Sequence, residues 1–373
     1  METYRLSSRL CEKDTEYLIQ TVNDFNLGTV ATTVFINGVL TETSNNLHPT
    51  EISPDEVLSL VKMAHEDKKK ELENLLQAYR KIVKSGDVRM SYYLGTAFYF
   101  KGFFQEARTL FKNTVSLDPD HHQSLNQLGM TELALGNIEA AIDAARKAVA
   151  LKPGFADYRN NLGEALLADD LIEDAVEEFQ QAVNINLYYS DAYFNLGLAY
   201  IYRALSRQDR DQWPGFLARI SDYLYKATLI YSGFKGQAFD EGIKALNNRE
   251  LKRALNIFKK IRDTKKENSR EQFSGFYLKF ALTSEWVSEK TLAERIAYLK
   301  EELKKNPTYV DMHSDLARCY LEQGRLIWQK GVEEYRSTHE SNPALSKIKL
   351  ALEDASSVYE DMNLVLKKIS EKG

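Results

Sequence analysis

The sequence is poor in the features that would commit it to chemistry or to a membrane. It holds two cysteines in 373 residues, Cys11 and Cys319. They lie far apart without metal-ligand spacing, which argues against a disulfide framework and a zinc site and reads as reduced thiols of a cytoplasmic chain. No run of about 18 apolar residues is present, so no membrane span is expected. The opening METYRLSSRLCEKD lacks the apolar core of a secretory signal. The net charge is −5, from 49 basic and 54 acidic side chains, and no clustered basic face is there to hold nucleic acid. G-x-G-x-x-G, G-x-x-x-x-G-K-[ST] and G-x-S-x-G are all absent. His65-Glu66 begins like a zinc-protease helix, but position 69 is Lys69 and the motif fails. His121-His122 has no third ligand at useful spacing and reads as a solvated turn. Lys68-Lys69-Lys70 and Lys265-Lys266 are short, diluted by nearby acids, and read as solvated. Cys11, His48 and Asp14 supply a nucleophile, a base and an acid, but no spacing positions them. No catalytic residue, no cofactor and no metal is therefore expected, and the chain is not read as an enzyme.

What the sequence has instead is a period. Hydrophobic residues make up 43% and charged residues 28%, which is the composition of an ordered chain. Three segments align without a gap: VRMSYYLGTAFYFKGFFQEARTLFKNTVSLDPD, HQSLNQLGMTELALGNIEAAIDAARKAVALKPG and ADYRNNLGEALLADDLIEDAVEEFQQAVNINLY. The pairs Leu94-Gly95, Leu128-Gly129, Leu162-Gly163 and Leu196-Gly197 recur at one constant step, as do Ala107, Ala141 and Ala175. Pro119 and Pro153 keep the step, and Leu187 replaces the next proline. Each unit reads as two antiparallel helices. Gly on the first and Ala on the second let the backbones approach, Phe111 and Phe179 plug the gap, and Ala145 underfills it in the second unit. Proline cannot continue a helix interior and ends the unit.

This pattern resembles the tetratricopeptide repeat family, whose period, Leu-Gly pair, later Ala and closing Pro it reproduces. The resemblance implies a mainly α fold: a right-handed solenoid of helix pairs, here preceded by a small antiparallel sheet and a long helix. It also implies an inner groove lined by the first helix of each repeat, used to bind other proteins. Three parts are expected: a β-sheet and long helix at 1–84, a repeat array at 85–342 of about seven helix pairs, regular at 88–205, and a C-terminal capping helix at 343–373.

The flanks are read as follows. Thr15–Val22 and Thr29–Ile36 are rich in β-branched residues, with a further strand near Tyr4–Leu10, and Asn37-Gly38 before Val39-Leu40-Thr41 is a hairpin signal. Ser53-Pro54-Asp55-Glu56 is a capping box that opens a helix from Pro54 to about Lys84. Its first half, with Val57, Leu58, Val61 and Ala64, is expected on the sheet and its second half on the first repeat. The charged middle, His65–Glu71, would cross solvent. The fourth repeat begins at Ala192 and resumes at Ile220, Leu224 and Ala227 after an insertion at 206–217 that contains Trp213-Pro214. A fifth carries Gly242, Ala254 and Phe258. Helices at Glu271–Thr283 and Glu289–Lys305 form a sixth pair, and Gly324 divides a seventh. In the last helix Leu345, Ile348, Leu352, Ala355, Tyr359, Met362, Leu366 and Ile369 form an a/d stripe, suited to a cap or to self-association.

The expected partner-binding groove contains Tyr92, Tyr99, Phe100, Gln127, Met130, Asn161, Glu164, Asn195, Leu198 and Tyr202. Asn161 and Asn195 hold the same repeat position, with Gln127 matching one repeat earlier. By resemblance, such amides pair with the backbone of a bound peptide, while aromatics anchor side chains. The Lys, Asn and Arg clamp that some members use on C-terminal carboxylates is missing: Tyr92, Asn126, Asn160, Thr96, Met130 and Glu164 stand in those places. The function expected is a non-enzymatic cytoplasmic scaffold or adaptor that holds another protein or peptide segment. The alternative is an assembly protein that self-associates through 343–370 or through the N-terminal sheet edge.

Overall fold

The computed structural model describes residues 3–13, 15–25, 27–48, 52–206, 213–282, 289–305, 310–342 and 346–372. Four strands open it: β1 (Arg5–Glu12), β2 (Thr15–Asp24), β3 (Thr29–Ile36) and β4 (Val39–Leu47). They form an antiparallel meander in chain order. Asn37 and Gly38 both adopt positive φ, 49° and 80°, between the paired residues Ile36 and Val39. This is the two-residue turn whose twist suits a hairpin. β4 extends to Leu47, well past Thr41, because an edge strand tolerates the polar run Glu42–Asn46. Alternate residues of β2 and β3 are buried: Tyr17, Ile19, Thr21 and Asn23, then Val30, Thr32 and Val34.

The sheet packs on α1 (Pro54–Ser85), whose Ser53–Glu56 capping box is formed reciprocally. Val57 and Val61 meet Val30 at one end. Leu72, Leu75, Leu76, Tyr79 and Ile82 share one core with Tyr17, Ile19, Leu94 and Phe98 at the other. The charged middle does not cross solvent. His65 is buried, with Nε2 2.8 Å from Ser8 Oγ and Nδ1 3.0 Å from Thr21 Oγ1. Lys68 is not solvated either. It bonds Glu42 at 2.6 Å and Glu71 at 2.8 Å, and Lys101 bonds the same two carboxylates at 3.1 and 3.2 Å. Periodicity marks a charged stretch but not the opposite charges a sheet brings to it.

Among the described residues ten helices follow: α2 (Val88–Lys101), α3 (Phe104–Leu117), α4 (His122–Ala134), α5 (Ile138–Leu151), α6 (Ala156–Ala168), α7 (Ile172–Ile185), α8 (Ser190–Ser206), α9 (Trp213–Ile230), α10 (Gln237–Asn247) and α11 (Leu251–Leu282). A Cβ on Gly95 would come within 2.8 Å of Phe111, and one on Gly163 within 2.7 Å of Phe179. Both phenylalanines are wholly buried. In the second repeat Ala145 leaves no gap to fill. There a Cβ on Gly129 would meet backbone, Ala141 O at 3.1 Å and Ala145 N at 3.2 Å, so the helices close directly on each other. In the fourth repeat Leu224 takes the phenylalanine's place against Gly197, at 2.8 Å. Half of the 206–217 insertion, residues 207–212, lies outside the described residues.

Two helices run through expected breaks. α11 continues from the fifth repeat through residues 264–271 to Leu282, so Glu271–Thr283 is not a separate helix. No Pro or Gly interrupts Leu251–Gln272, which lets the helix propagate. α13 (Val310–Ser341) likewise runs through Gly324, whose absent Cβ faces open space, so the glycine does not end the helix.

The chain divides into two compact units. The first, Met1–Ala227 with Gly233–Leu282, holds the sheet and the array. The second, Thr228–Ser232 with Thr283–Gly373, holds α12 (Glu289–Lys305), α13 and α14 (Ser346–Lys372). In it α14 packs antiparallel on α13: Arg325 donates to Tyr359 Oη at 2.9 Å and Trp328 Nε1 to Ala355 O at 2.9 Å. The a/d stripe thus faces α13, its described members being half-buried. No described helix is long and apolar enough to cross a membrane.

Candidate interaction groove

The first helices of successive repeats, α2, α4, α6 and α8, pack side by side and present one continuous inner face. Its amides form a ladder between repeats. Asn161 Nδ2 donates to Asn126 Oδ1 at 3.0 Å, and Asn195 Nδ2 donates to Asn160 Oδ1 at 2.9 Å. Asn161 also lies 3.3 Å from Met130 Sδ. Asn195 is buried and gives a second bond to Glu164 Oε1 at 3.0 Å, while its own Oδ1 has no hydrogen-bond partner among the described residues. Gln127 Oε1 is buried without a partner in the same way.

The aromatics divide into two groups. Tyr92 is half-buried against Tyr93, Phe111 and His121. Tyr99 sits edge-on to Phe100 and beside Phe104. At the other end Phe194 is fully buried, stacked on Phe234 with centroids 4.3 Å apart, and Leu198 is fully buried as well. Those two belong to the core. Tyr202 remains half-buried. His121-His122 is not a solvated turn: His122 is buried with Nδ1 2.7 Å from Tyr158 Oη, and His121 caps α4 by accepting from Ser124 N at 3.2 Å.

The groove is not empty, because α11 lies along it. Its first turns pack on α10, with Leu251, Ala254 and Phe258 buried. Beyond them it runs over α8 and on to α2. Lys259 Nζ lies 5.9 Å from the centre of the Tyr202 ring, Lys265 Nζ bonds Asp191 Oδ1 at 2.5 Å, and Lys266 bonds Glu164. Lys265 also lies 4.8 Å above the Phe234 ring. Lys265-Lys266 is therefore engaged rather than solvated. Burial pushes the Glu164 carboxyl up, but Lys266, Arg262 and the Asn195 amide outweigh it and hold the group at about 2. The inner face is thus acidic and amide-rich, and the helix on it is basic.

Lys259 and Arg262 are not among the residues that the sequence singles out, and Lys265-Lys266 reads there only as a solvated pair. Their spacing of three, three and one places them on one helical face, and that was the available signal. Cys11 and His48 are not brought together. Cys11 is on β1 and His48 follows β4, at opposite edges of the sheet and at opposite ends of its strands, so they are separated by more than the three strand spacings, about 14 Å, that lie across the sheet; Asp14 lies outside the described residues.

The sequence model of the tetratricopeptide repeat family matches residues 92–154 and again 126–186. Residues 92–186 carry tetratricopeptide repeats. Among solved structures it is similar to MamA, with 26% identity over 48% of this chain and 96% of that one and a TM-score of 0.35. It is also similar to TTC0263, a thermophilic tetratricopeptide repeat protein of Thermus thermophilus, with 20% identity over 63% and 99% and a TM-score of 0.35. The first repeat domain of human RPAP3 matches at 17% identity over 32% and 93%, with a TM-score of 0.31. No curated protein sequence matches the chain.

Proposed function

We propose that this protein is a non-enzymatic interaction scaffold that holds a segment of another protein on the inner face of its repeats. The observation that carries this reading is that the face already accommodates a helix, α11, through side chains of α6 and α8. A surface that receives one amphipathic helix has the shape and chemistry to receive another. Tyr99, Phe100 and Met130 supply apolar contact, and Asp191, Glu164 and the amides supply polar contact. The N-terminal sheet and α1 close the first repeat's core and act as its cap, as a solenoid end requires.

The test compares two variants of the full chain in quantitative affinity purification. One carries Tyr99→Ala with Met130→Ala on the inner face. The other carries Lys147→Glu with Glu177→Lys, both exposed on second helices. Melting curves confirm that both fold. The expected result is loss of the specific partner from the inner-face variant alone. Retention of every partner by that variant would sink the proposal.

A further inference from the structure

The inner face is occupied by a helix that the repeat signature does not require. Fifth-repeat packing needs α11 only as far as Phe258, which plugs Gly242 as Phe111 plugs Gly95. Over Lys259–Lys266 the helix meets α8 and α6 through charged side chains, and beyond them it packs on α2. Arg262, Lys265 and Lys266 face Glu164 and Asp191, which are largely buried, with side chains 14% and 29% exposed. Asp191 is 74 residues before its partner in sequence and Glu164 is 102 before its own. The contacts of Lys265 and Lys266 are specified by complementary charge, and contacts of that kind exchange readily for others of the same pattern.

We propose that the segment of α11 from Lys259 onward is a resident ligand of the groove, and that the partner the groove accepts is an amphipathic helix with the same basic face. Such a helix presents positive side chains at i, i+3, i+6 and i+7 and binds by replacing α11 on Glu164 and Asp191. This rests on the reading of the inner face as the binding surface and adds to it the partner's chemistry and a built-in competitor. An extended or acidic segment does not fit, because it would leave Glu164 and Asp191 unpaired in a largely buried site. The resident helix lowers the apparent affinity of any partner by the fraction of molecules in which the groove is open.

The probe is a labelled synthetic peptide of residues 256–282 of this chain, titrated onto the full-length protein. Three proteins are compared: wild type, the release variant Lys265→Glu with Lys266→Glu, and that variant with Glu164→Gln and Asp191→Asn added. The peptide should bind the release variant about tenfold more tightly than wild type, the change produced by an open fraction rising from roughly one-tenth to near unity. Adding the groove substitutions should remove the binding. If wild type and release variant bind equally tightly, α11 is no competitor and the inference is overturned while the groove reading stands. If neither binds, the groove does not take a basic helix. The inference is then overturned too, and the groove reading rests on the inner-face purification above. The milder Lys265→Gln with Lys266→Gln serves if charge reversal impairs folding, with the same expectation in direction.

Discussion

Asn195 Nδ2 donates to Asn160 Oδ1 at 2.9 Å, and the same bond recurs one repeat earlier between Asn161 and Asn126 at 3.0 Å. The amides that repeat along the inner face therefore tie each repeat to the one before it. Asn195 also bonds Glu164, so its replacement removes two bonds and leaves Asn160 Oδ1 without this donor. Asn195→Ala should cost about 1–3 kcal/mol, concentrated at the junction of α6 and α8. Because a repeat array opens locally, the measurement is amide hydrogen exchange. Protection should fall in α6 and α8 and hold in α2 and α3.

A second prediction concerns the tight glycines. Gly163→Ala puts a methyl within 3 Å of the Phe179 ring, with contacts at 2.7 and 2.8 Å. Phe179 is wholly buried and cannot retreat without moving its helix. The overpacking should cost about 1–3 kcal/mol. Phe179→Leu added to it should recover part of the loss, read as a rise in melting temperature of the double variant over Gly163→Ala.

A third follows from Glu164. Its carboxyl is held at about 2 against an ordinary 4.5. The groups facing it are Lys266 and Arg262 from α11, Asn195 from α8, and Asn160 from its own helix. A depressed acid contributes in full above its unfolded value and loses that contribution as pH falls through its folded value. The hold of α11 on the groove should therefore be constant above about pH 5 and fade between roughly pH 4.5 and 2. Lys266 is 46% exposed, so screening limits the effect to on the order of 1–2 kcal/mol. Exchange protection of residues 259–268 should drop over that range in wild type and show a flatter profile in Glu164→Gln.

The sheet offers a fourth. Glu42 pairs with both Lys68 and Lys101, whose side chains are 12% and 9% exposed. Glu42→Gln would leave two buried ammonium groups sharing Glu71 alone. Removing one member of a buried charge network costs roughly 2–4 kcal/mol. Limited proteolysis should then cut within residues 39–47 of the variant at protease levels that leave wild type intact.

The regular repeats were legible from residues 88 to 205 because Leu-Gly, Ala and Pro each answer a local packing need that recurs with the period. The hairpin at Asn37-Gly38 was legible for the same reason, since positive φ is a local demand. What escaped was non-local. Lys266 reads as a solvated lysine until the fold brings Glu164 to it. His65 and Lys68 read as a solvent-crossing stretch until the sheet supplies Ser8, Thr21 and Glu42. The groove positions were placed on the first helices from the family pattern, but nothing in their spacing shows that Asn161 and Asn195 bond the preceding repeat, or that α11 lies over them.

If partners meet this protein on the inner face of α2, α4, α6 and α8, site-specific photo-crosslinking will capture them there. A photoreactive side chain is placed in the full chain at Met130 or Leu133 on α4, and in parallel at Lys147 on α5 or Glu177 on α7. A covalent partner adduct is expected from the α4 positions and none from α5 or α7. Adducts from α5 or α7, with none from α4, would contradict binding on the inner face.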